Sequence, residues 1–245
     1  MSSIPGCWSP RTGVFLDPRR AAFLQEHRLL LISDLHIGFA WTQRRRGQLL
    51  PLDAPDDLPG RIIALCRDWN PSGLVVLGDF VHGAAPLEGI RHEIETLLTS
   101  LPSDCPLRIV LGNHDVRLPE QLARWNLSIP CVQQHEEGEF HLIHGDQPGQ
   151  PSRADLFQIQ GHEHPAIEIP DPPAGRVRVP AFLLSHDRLI LPAFSRWAAG
   201  SVIGHRPFLS ASTQAMDIDT AVACLGPRLL PVPRATLIEW HHSLP

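Results

Sequence analysis

One device, repeated five times between residues 28 and 164, limits what this chain can fold into. A mostly apolar run ends in polar residues of the kinds that bind metals. The runs are RLLLISDLH (28–36), GLVVLGDFVH (73–82), LRIVLGNHD (107–115), EFHLIHGD (139–146) and DLFQIQGHEH (155–164). Aliphatic runs without polar alternation read as strands covered on both faces, as in a parallel sheet between layers. In open α/β sheets, sites form outside the carboxyl ends of strands. Five such ends gather Asp34, His36, Asp79, Asn113, His144, His162 and His164. Residues i and i+2 of an extended chain point the same way, so Asp34 and His36 are expected to aim at one point. Seven oxygen and nitrogen ligands are too many for one zinc ion and suit two ions sharing a bridging carboxylate. His141, three residues before His144, is the local rival for its role; in a strand it faces the other way.

The segments between the runs supply helices. Residues 56–69 (DDLPGRIIALCRDW) place Leu58, Ile62, Ile63, Leu65 and Trp69 on or near one stripe, and Asn70-Pro71-Ser72-Gly73 ends the helix. Residues 87–101 form a second helix and 118–125 a short third. Strand and helix alternating in this way predict a parallel βαβ core. Residues 11–27 read as a hairpin leading into the first buried strand. After His164, Pro165, Pro170, Pro172, Pro173 and Pro180 exclude a helix. RVRVPAFLL and RLILPAF flank Ser185-His186-Asp187, and AVACL and LLPV flank Gly226-Pro227-Arg228, two expected hairpins with prolines at edges or bulges. No linker divides the chain. The expectation is a single domain over 1–245, with a motif-bearing βαβ core at 28–164 and a β-rich remainder at 165–245.

Composition excludes some functions. No stretch of 18 apolar residues is present, so no membrane-spanning helix is expected. The start, MSSIPGCWSP, lacks the pattern of a secretory signal. Five scattered cysteines without a C-x-x-C suit reduced thiols in the cytoplasm. A formal charge of −5 argues against a generally basic nucleic-acid surface but leaves room for a local one. Arg44, Arg45 and Arg46, about ten residues after Asp34, are its candidate: either a solvated turn or a phosphate clamp. Trp41 beside them is either a stacking face for a base or a packed side chain.

The motifs D-x-H, GD-x-x-H, GNHD, H-G and G-H-x-H, in this order, resemble the calcineurin-like metallophosphoesterase superfamily. SDLHIGFAWTQRRRGQLLP and the late RLILPAFSRWAAG (188–200) resemble its DNA-ligase-associated (ICC-like) members. The resemblance implies an α/β fold, a two-sheet β-sandwich flanked by helices, in which residues after 164 complete the second sheet. It implies that Asp34, His36, Asp79 and His164 hold one divalent ion and Asp79, Asn113, His144 and His162 the other. Manganese is the first expectation; iron and zinc also accept such ligands. Two such ions clamp phosphoryl oxygens and activate water. His114, next to Asn113, is the expected acid for the leaving oxygen, with Asp115 or another carboxylate fixing its tautomer. His82 either touches substrate or hydrogen-bonds around the Asp79 ligand. His135 is expected to be exposed and can still reach the mouth. His27, His92, His186, His205, His241 and His242 match no motif. The expected activity is phosphodiester hydrolysis in a polynucleotide, as a DNA-repair-associated nuclease in the company of a DNA ligase or helicase. The alternative is a phosphatase or pyrophosphatase of small nucleotides or sugar-nucleotides. A non-catalytic scaffold on the same fold is disfavoured, since such relatives lose ligands and this chain keeps all seven and His114.

Overall fold

Strand β4 (Leu29–Ile32) shows how the architecture follows from the sequence. Its four aliphatic residues are all buried, in two different layers. Leu30 and Ile32 pack with helix side chains, while Leu29 and Leu31 pack between two sheets. An unbroken apolar run is what a strand covered on both faces requires. The computed structural model describes residues 4–48, 57–83, 88–147, 155–171, 173, 175–198, 200–204, 207–210, 213 and 218–242.

Strands β1 (Trp8–Arg11), β2 (Val14–Asp17) and β3 (Ala21–Leu24) form an antiparallel meander leading into β4. β5 (Gly73–Leu77), β6 (Leu107–Val110) and β7 (Cys131–Val132) then add in parallel, giving the order β1-β2-β3-β4-β5-β6-β7. Helices α2 (Leu58–Trp69), α3 (Glu88–Ser100) and α4 (Leu118–Arg124) connect the parallel strands, as their spacing predicts. The residues 56 and 87 at which two of these helices were expected to begin lie outside the described residues. Asp57 caps α2, accepting from Gly60 N at 3.0 Å, and Asn70 ends it in the left-handed conformation.

The second sheet contains β8 (His135–Glu137), β9 (Phe140–Ile143), β10 (Phe157–Gln160), β11 (Pro165–Asp171), β12 (Gly175–Leu184), β13 (Arg188–Ile190) and β14 (Ser201–Val202), in the order β14-β11-β12-β13-β10-β9-β8. β15 (Thr220–Leu225) pairs β12 and β16 (Arg228–Pro233). The two expected hairpins are present, β12–β13 and β15–β16, both antiparallel. The proline-rich segment after His164 does form a strand, β11, running antiparallel to β12 from Ala166↔Pro180 to Asp171↔Gly175. Leu142, Ile159, Phe182, Leu189 and Leu191 face Leu31, Val75 and Val110 of the first sheet across the inter-sheet core. On the opposite face of the second sheet, Leu237 and Trp240 of α5 (Arg234–His242) pack against a third cluster. Two mixed sheets flanked by a few helices are therefore the fold.

Two of the described helices escaped the sequence reading. The segment 38–52, read as either a solvated turn or a phosphate clamp, contains helix α1 (Phe39–Arg45); its residues 49–52 lie outside the described residues. Helix α5 was also unforeseen, since its apolar residues follow no strong helical stripe.

Candidate metal centre and its rim

The expected ligands come from loops that follow β4, β5, β6, β9 and β10, three strands of one sheet and two of the other. The β4 and β5 loops run side by side beyond their strands: Asp34 N donates to Gly78 O at 3.1 Å and His36 N to Asp79 O at 2.9 Å. The β10 loop reaches across from the second sheet, with Gly161 N donating to His144 O at 3.2 Å and His162 N to the Asp34 carboxylate at 3.3 Å.

Asp34 and His36 do not converge by strand alternation. β4 ends at Ile32, and both residues adopt positive φ, 54° and 50°. Asp79, His162 and His164 do the same, at 47°, 69° and 44°. Non-glycine residues rarely occupy this left-handed region and cluster at functional sites when they do. The kinks turn side chains sharply off the strand ends toward a common volume. The glycine before each of three ligands is explained by the same crowding. A β-carbon on Gly78 would strike the His144 ring, one on Gly112 would strike Asp79, and one on Gly161 would strike Asp34, all closer than 3.0 Å. The G in GD, GN and GH is the space that the neighbouring ligand fills.

Two groups of ligand atoms result. Asp34, His36, Asp79 and His164 each offer an atom within 4.8 Å of the others. His164 Nε2 lies 3.1 Å from Asp34 Oδ1, His36 Nε2 3.3 Å from His164 Nε2, and His36 Nε2 3.9 Å from Asp79 Oδ2. Around His144 Nε2 stand Asn113 Oδ1 at 3.3 Å, His162 Nδ1 at 3.2 Å and Asp79 Oδ1 at 3.5 Å. The ring of His144 is oriented by its other nitrogen, 3.0 Å from Leu77 O. Asp79 takes part in both groups, one oxygen toward each.

The donor set fits divalent cations. Asp34, His36, Asp79 and His144 are buried, and among the described residues the ion-pair partners of both carboxylates are histidines. Burial acts to raise the Asp34 carboxyl, but His164, His144 and His36 hold it below the usual carboxylate range. Asp79 is pushed up, chiefly by burial, with the nearby Asp34 charge adding to it. Burial pushes His36 down to about 3 against the pull of Asp34, so the imidazole is neutral and offers lone pairs. Nitrogens facing nitrogens at 3.2–3.3 Å, with two buried carboxylates, are a set that a cation completes.

The remaining candidates divide. His114 N donates to Asp79 Oδ1 at 3.0 Å, and its ring Nε2 lies 3.8 Å from Asp79 Oδ2, with one third of the side chain exposed. Asp115, named for orienting His114, is placed otherwise. It is fully buried and accepts Phe80 N, Val81 N and Gly112 N at 3.0–3.1 Å, locking the β5 loop to the β6 loop. Among the described residues, the carboxylate at ion-pair distance from the His114 ring is Asp79. Burial pushes Asp115 up to about 6. His82 hydrogen-bonds around His36 rather than Asp79: the two Nδ1 atoms are 3.3 Å apart. It also stacks on His114 at 5.0 Å and is pushed down to about 4 by burial and then by His114 and Arg46. His36, His82 and His114 form a second cluster of ligand type that sequence reasoning did not anticipate.

Of the other named histidines, His92 lines a cavity shared with His36. His141 is buried with Nε2 at 3.2 Å from Gln134 Oε1, and His135 faces Arg108 and Glu137. His205 and the side chains of His241 and His242 lie outside what the structure describes. Arg44, Arg45 and Arg46 are exposed on the last turn of α1, and no ion pair to them occurs among the described residues. Arg46 is near enough for its charge to act on His82. Trp41 is packed: its Nε1 donates to Glu93 Oε1 at 2.9 Å.

The chain also positions the centre by residues that carried no chemistry in the sequence reading. Glu163, between two ligands and buried, accepts Leu209 N at 2.7 Å, Ser210 N at 2.9 Å and Ser210 Oγ at 2.5 Å. Phe194 N donates to Ser33 O at 2.8 Å and Ser195 N to Asp34 O at 3.2 Å, so the late segment 191–197 lies along the first motif. Arg20 and Arg61 hold that segment through the carbonyls of Ala193, Ser195 and Phe194.

Comparison with known proteins agrees with the fold. The family model described as calcineurin-like phosphoesterase matches residues 27–216. A solved structure described as the nuclease MPE of Pseudomonas putida shares the fold, with TM-score 0.66 and 21% identity, over 94% of this chain and 100% of that one. No curated protein sequence matches.

Proposed function

Because the chain belongs to the calcineurin-like phosphoesterase family and is a metal-dependent phosphoesterase, we propose that it is a dinuclear phosphodiesterase acting on polynucleotides. The observation that carries the dinuclear reading is the placement of Asp79, one oxygen toward each of two ligand groups. Asp34, His36, Asp79 and His164 would hold one divalent ion, and Asp79, Asn113, His144 and His162 the other. Manganese is our first choice for both, with iron and zinc compatible. When bound, two such ions supply charge stabilisation for the phosphoryl oxygens and an activated water.

The chain's own residues do the rest. His114, anchored through its backbone on Asp79 and partly exposed at the mouth, gives its ring proton to the leaving oxygen. His82 supports the tautomer of His36 and packs behind His114. Asp115 fixes the two loops that carry Asp79 and His114. Arg44, Arg45 and Arg46, unpaired among the described residues on the rim, contact phosphates flanking the one that is cleaved. The name of the Pseudomonas putida structural neighbour, a nuclease, supports the polynucleotide reading. A DNA-repair role, company with a ligase or helicase and a cytoplasmic location belong to the same proposal; five free cysteines suit the last.

A second reading, a phosphatase or pyrophosphatase of small nucleotides, is favoured by one observation. A cavity of about 400 Å³ opens beside His36, large enough for a nucleoside. The test is one metal-dependent assay comparing single-stranded DNA, a generic phosphodiester, a phosphomonoester and a nucleotide diphosphate. Turnover of DNA and the diester well above the other two is expected. Turnover confined to the monoester or the diphosphate would replace the proposal with the second reading.

A further inference from the structure

The cavity beside His36 has a composition that selects among ligands. It lies where the amino ends of α1 and α2 meet the middle of α3, and Trp197 reaches in from the late segment. Three of its lining residues are aromatic: Phe39, Trp41 and Trp197. Phe39 and Trp197 are nearly parallel, at 17° with centroids 5.8 Å apart, and Phe39 also packs on His82 at 4.7 Å. The aromatic wall thus continues into the histidines of the centre.

The wall is built in place. Trp41 is fixed by its bond to Glu93 and by Gly89, where a β-carbon would come within 2.6 Å of the indole. Trp197 N donates to Ser195 Oγ at 3.2 Å, in the segment bound to Asp34. Glu93, Thr96, His36, His92 and Asp57 supply polar groups in a lining that is otherwise apolar, and the Asp57 carboxylate is already engaged by Gly60 N as the cap of α2. The Glu93 carboxylate receives the Trp41 N–H and a Gly38 N–H and, with about four lone-pair sites, retains room for further donors.

Flat aromatic walls, the Glu93 carboxylate as acceptor and a phosphoester centre at one edge are the features that hold an unstacked nucleobase. Stacking on aromatic side chains is tolerant of sequence, and an acidic side chain accepts from a base amino group. An aliphatic or peptide ligand would not use parallel rings, and a free anion would be repelled by Glu93. We infer that this cavity is a nucleobase subsite, which seats the base adjoining the phosphate held at the metal centre. The inference rests on the phosphoesterase reading of that centre. The base can come from a free nucleotide or from a polynucleotide strand, since the recognised chemistry is the same.

The test uses the metal-loaded full chain hydrolysing bis(p-nitrophenyl) phosphate. Inhibition constants are measured for the four deoxynucleoside 5′-monophosphates and for deoxyribose 5-phosphate, which carries no base. The nucleotides should inhibit about tenfold or more better than the sugar phosphate. In Trp197→Leu that ratio should fall to within about twofold, and in Trp197→Phe most of it should remain. Glu93→Gln should weaken nucleotides bearing amino groups more than thymidylate. Equal inhibition by nucleotides and sugar phosphate on the wild type overturns the inference with no variant needed. Oligonucleotides with and without one abasic position separate the two sources of base. If nucleotides inhibit through the base but no oligonucleotide is cleaved, the polynucleotide reading fails and the subsite stands for free nucleotides. If abasic and intact strands are cleaved at equal rates, the subsite is overturned and the polynucleotide reading stands.

Discussion

The metal centre and the rim made by α1 lie side by side, yet they are built on opposite plans. Between them the ligands of the centre are held from several directions: buried strand ends, left-handed backbone at five of the seven, loop-to-loop hydrogen bonds and missing β-carbons. The rim is one two-turn helix with no buried residue, joined to α3 by Trp41 and to the centre through Phe39. A geometry fixed to fractions of an ångström serves bond breaking, whereas a surface helix serves selection among substrates. Changes at the centre should therefore act on chemistry with any phosphoester, and changes at the rim only on substrates that reach beyond the phosphate being cleaved.

The largest effect should come from Asp79→Ala, which removes the oxygen shared by both ligand groups. Loss of hydrolysis toward every substrate is expected, by at least about 10³-fold, as for removal of a central electrostatic group. Retained turnover on a small diester would dissolve the distinction between centre and rim.

Next in size is His114→Ala, which should leave metal content intact and slow substrates with basic leaving groups by about 10²–10⁴-fold, the usual worth of an acid catalyst. A nitrophenyl ester, whose leaving group departs without a proton, should lose much less. Equal losses would make His114 a phosphate-orienting residue.

Acid should loosen the metal-free centre. Folding holds His36 at about 3 and His82 at about 4, and it also lowers His162. Near pH 6.5 and below, the unfolded chain binds protons that these folded histidines do not, so stability falls with pH from about 6.5 toward 4. His164 acts the other way, because Asp34 raises it despite its burial. Asp79, Glu93 and Asp115, which burial raises, the last to about 6, act with His164. The displacements of His36 and His82 are each wider than that of Asp115, so a denaturant midpoint in chelator should drop between pH 7 and pH 5. An unchanged or rising midpoint would contradict the burial described here.

The smallest effect belongs to the rim. Replacing Arg44, Arg45 and Arg46 by alanine should flatten the salt dependence of single-stranded DNA binding by about two units in log K against log salt. An unchanged slope would make the three arginines a solvated helix end and move the small-nucleotide reading ahead.

Much of the centre was legible in the sequence because its constraints are local. An aliphatic run, a glycine and a ligand sit within a few residues of each other, and five copies indicate a sheet and a convergence. The mechanism of convergence was not legible. Alternation along a strand suggested that Asp34 and His36 share a direction, whereas left-handed kinks set it. The carboxylate facing His114, read as Asp115 or another, was left open for a related reason. Asp115 is its neighbour in sequence, but Asp79, 35 residues earlier, is the carboxylate within reach of its ring. The β11 strand was missed because prolines exclude a helix more clearly than they announce an edge. Helix α1 was missed because nothing in it is buried, so its sequence lacks an apolar stripe. The roles of Glu163 and of 191–197 depend wholly on contacts distant in sequence, which no local pattern encodes.

The central claim is that two cations share one centre through Asp79. Counting manganese bound per chain tests it directly, by equilibrium dialysis followed by elemental analysis. The wild type should bind two ions, and Asn113→Ala, which touches only the group around His144, should bind one. A wild type that saturates at one ion, or an Asn113→Ala variant that still binds two as tightly, would contradict it.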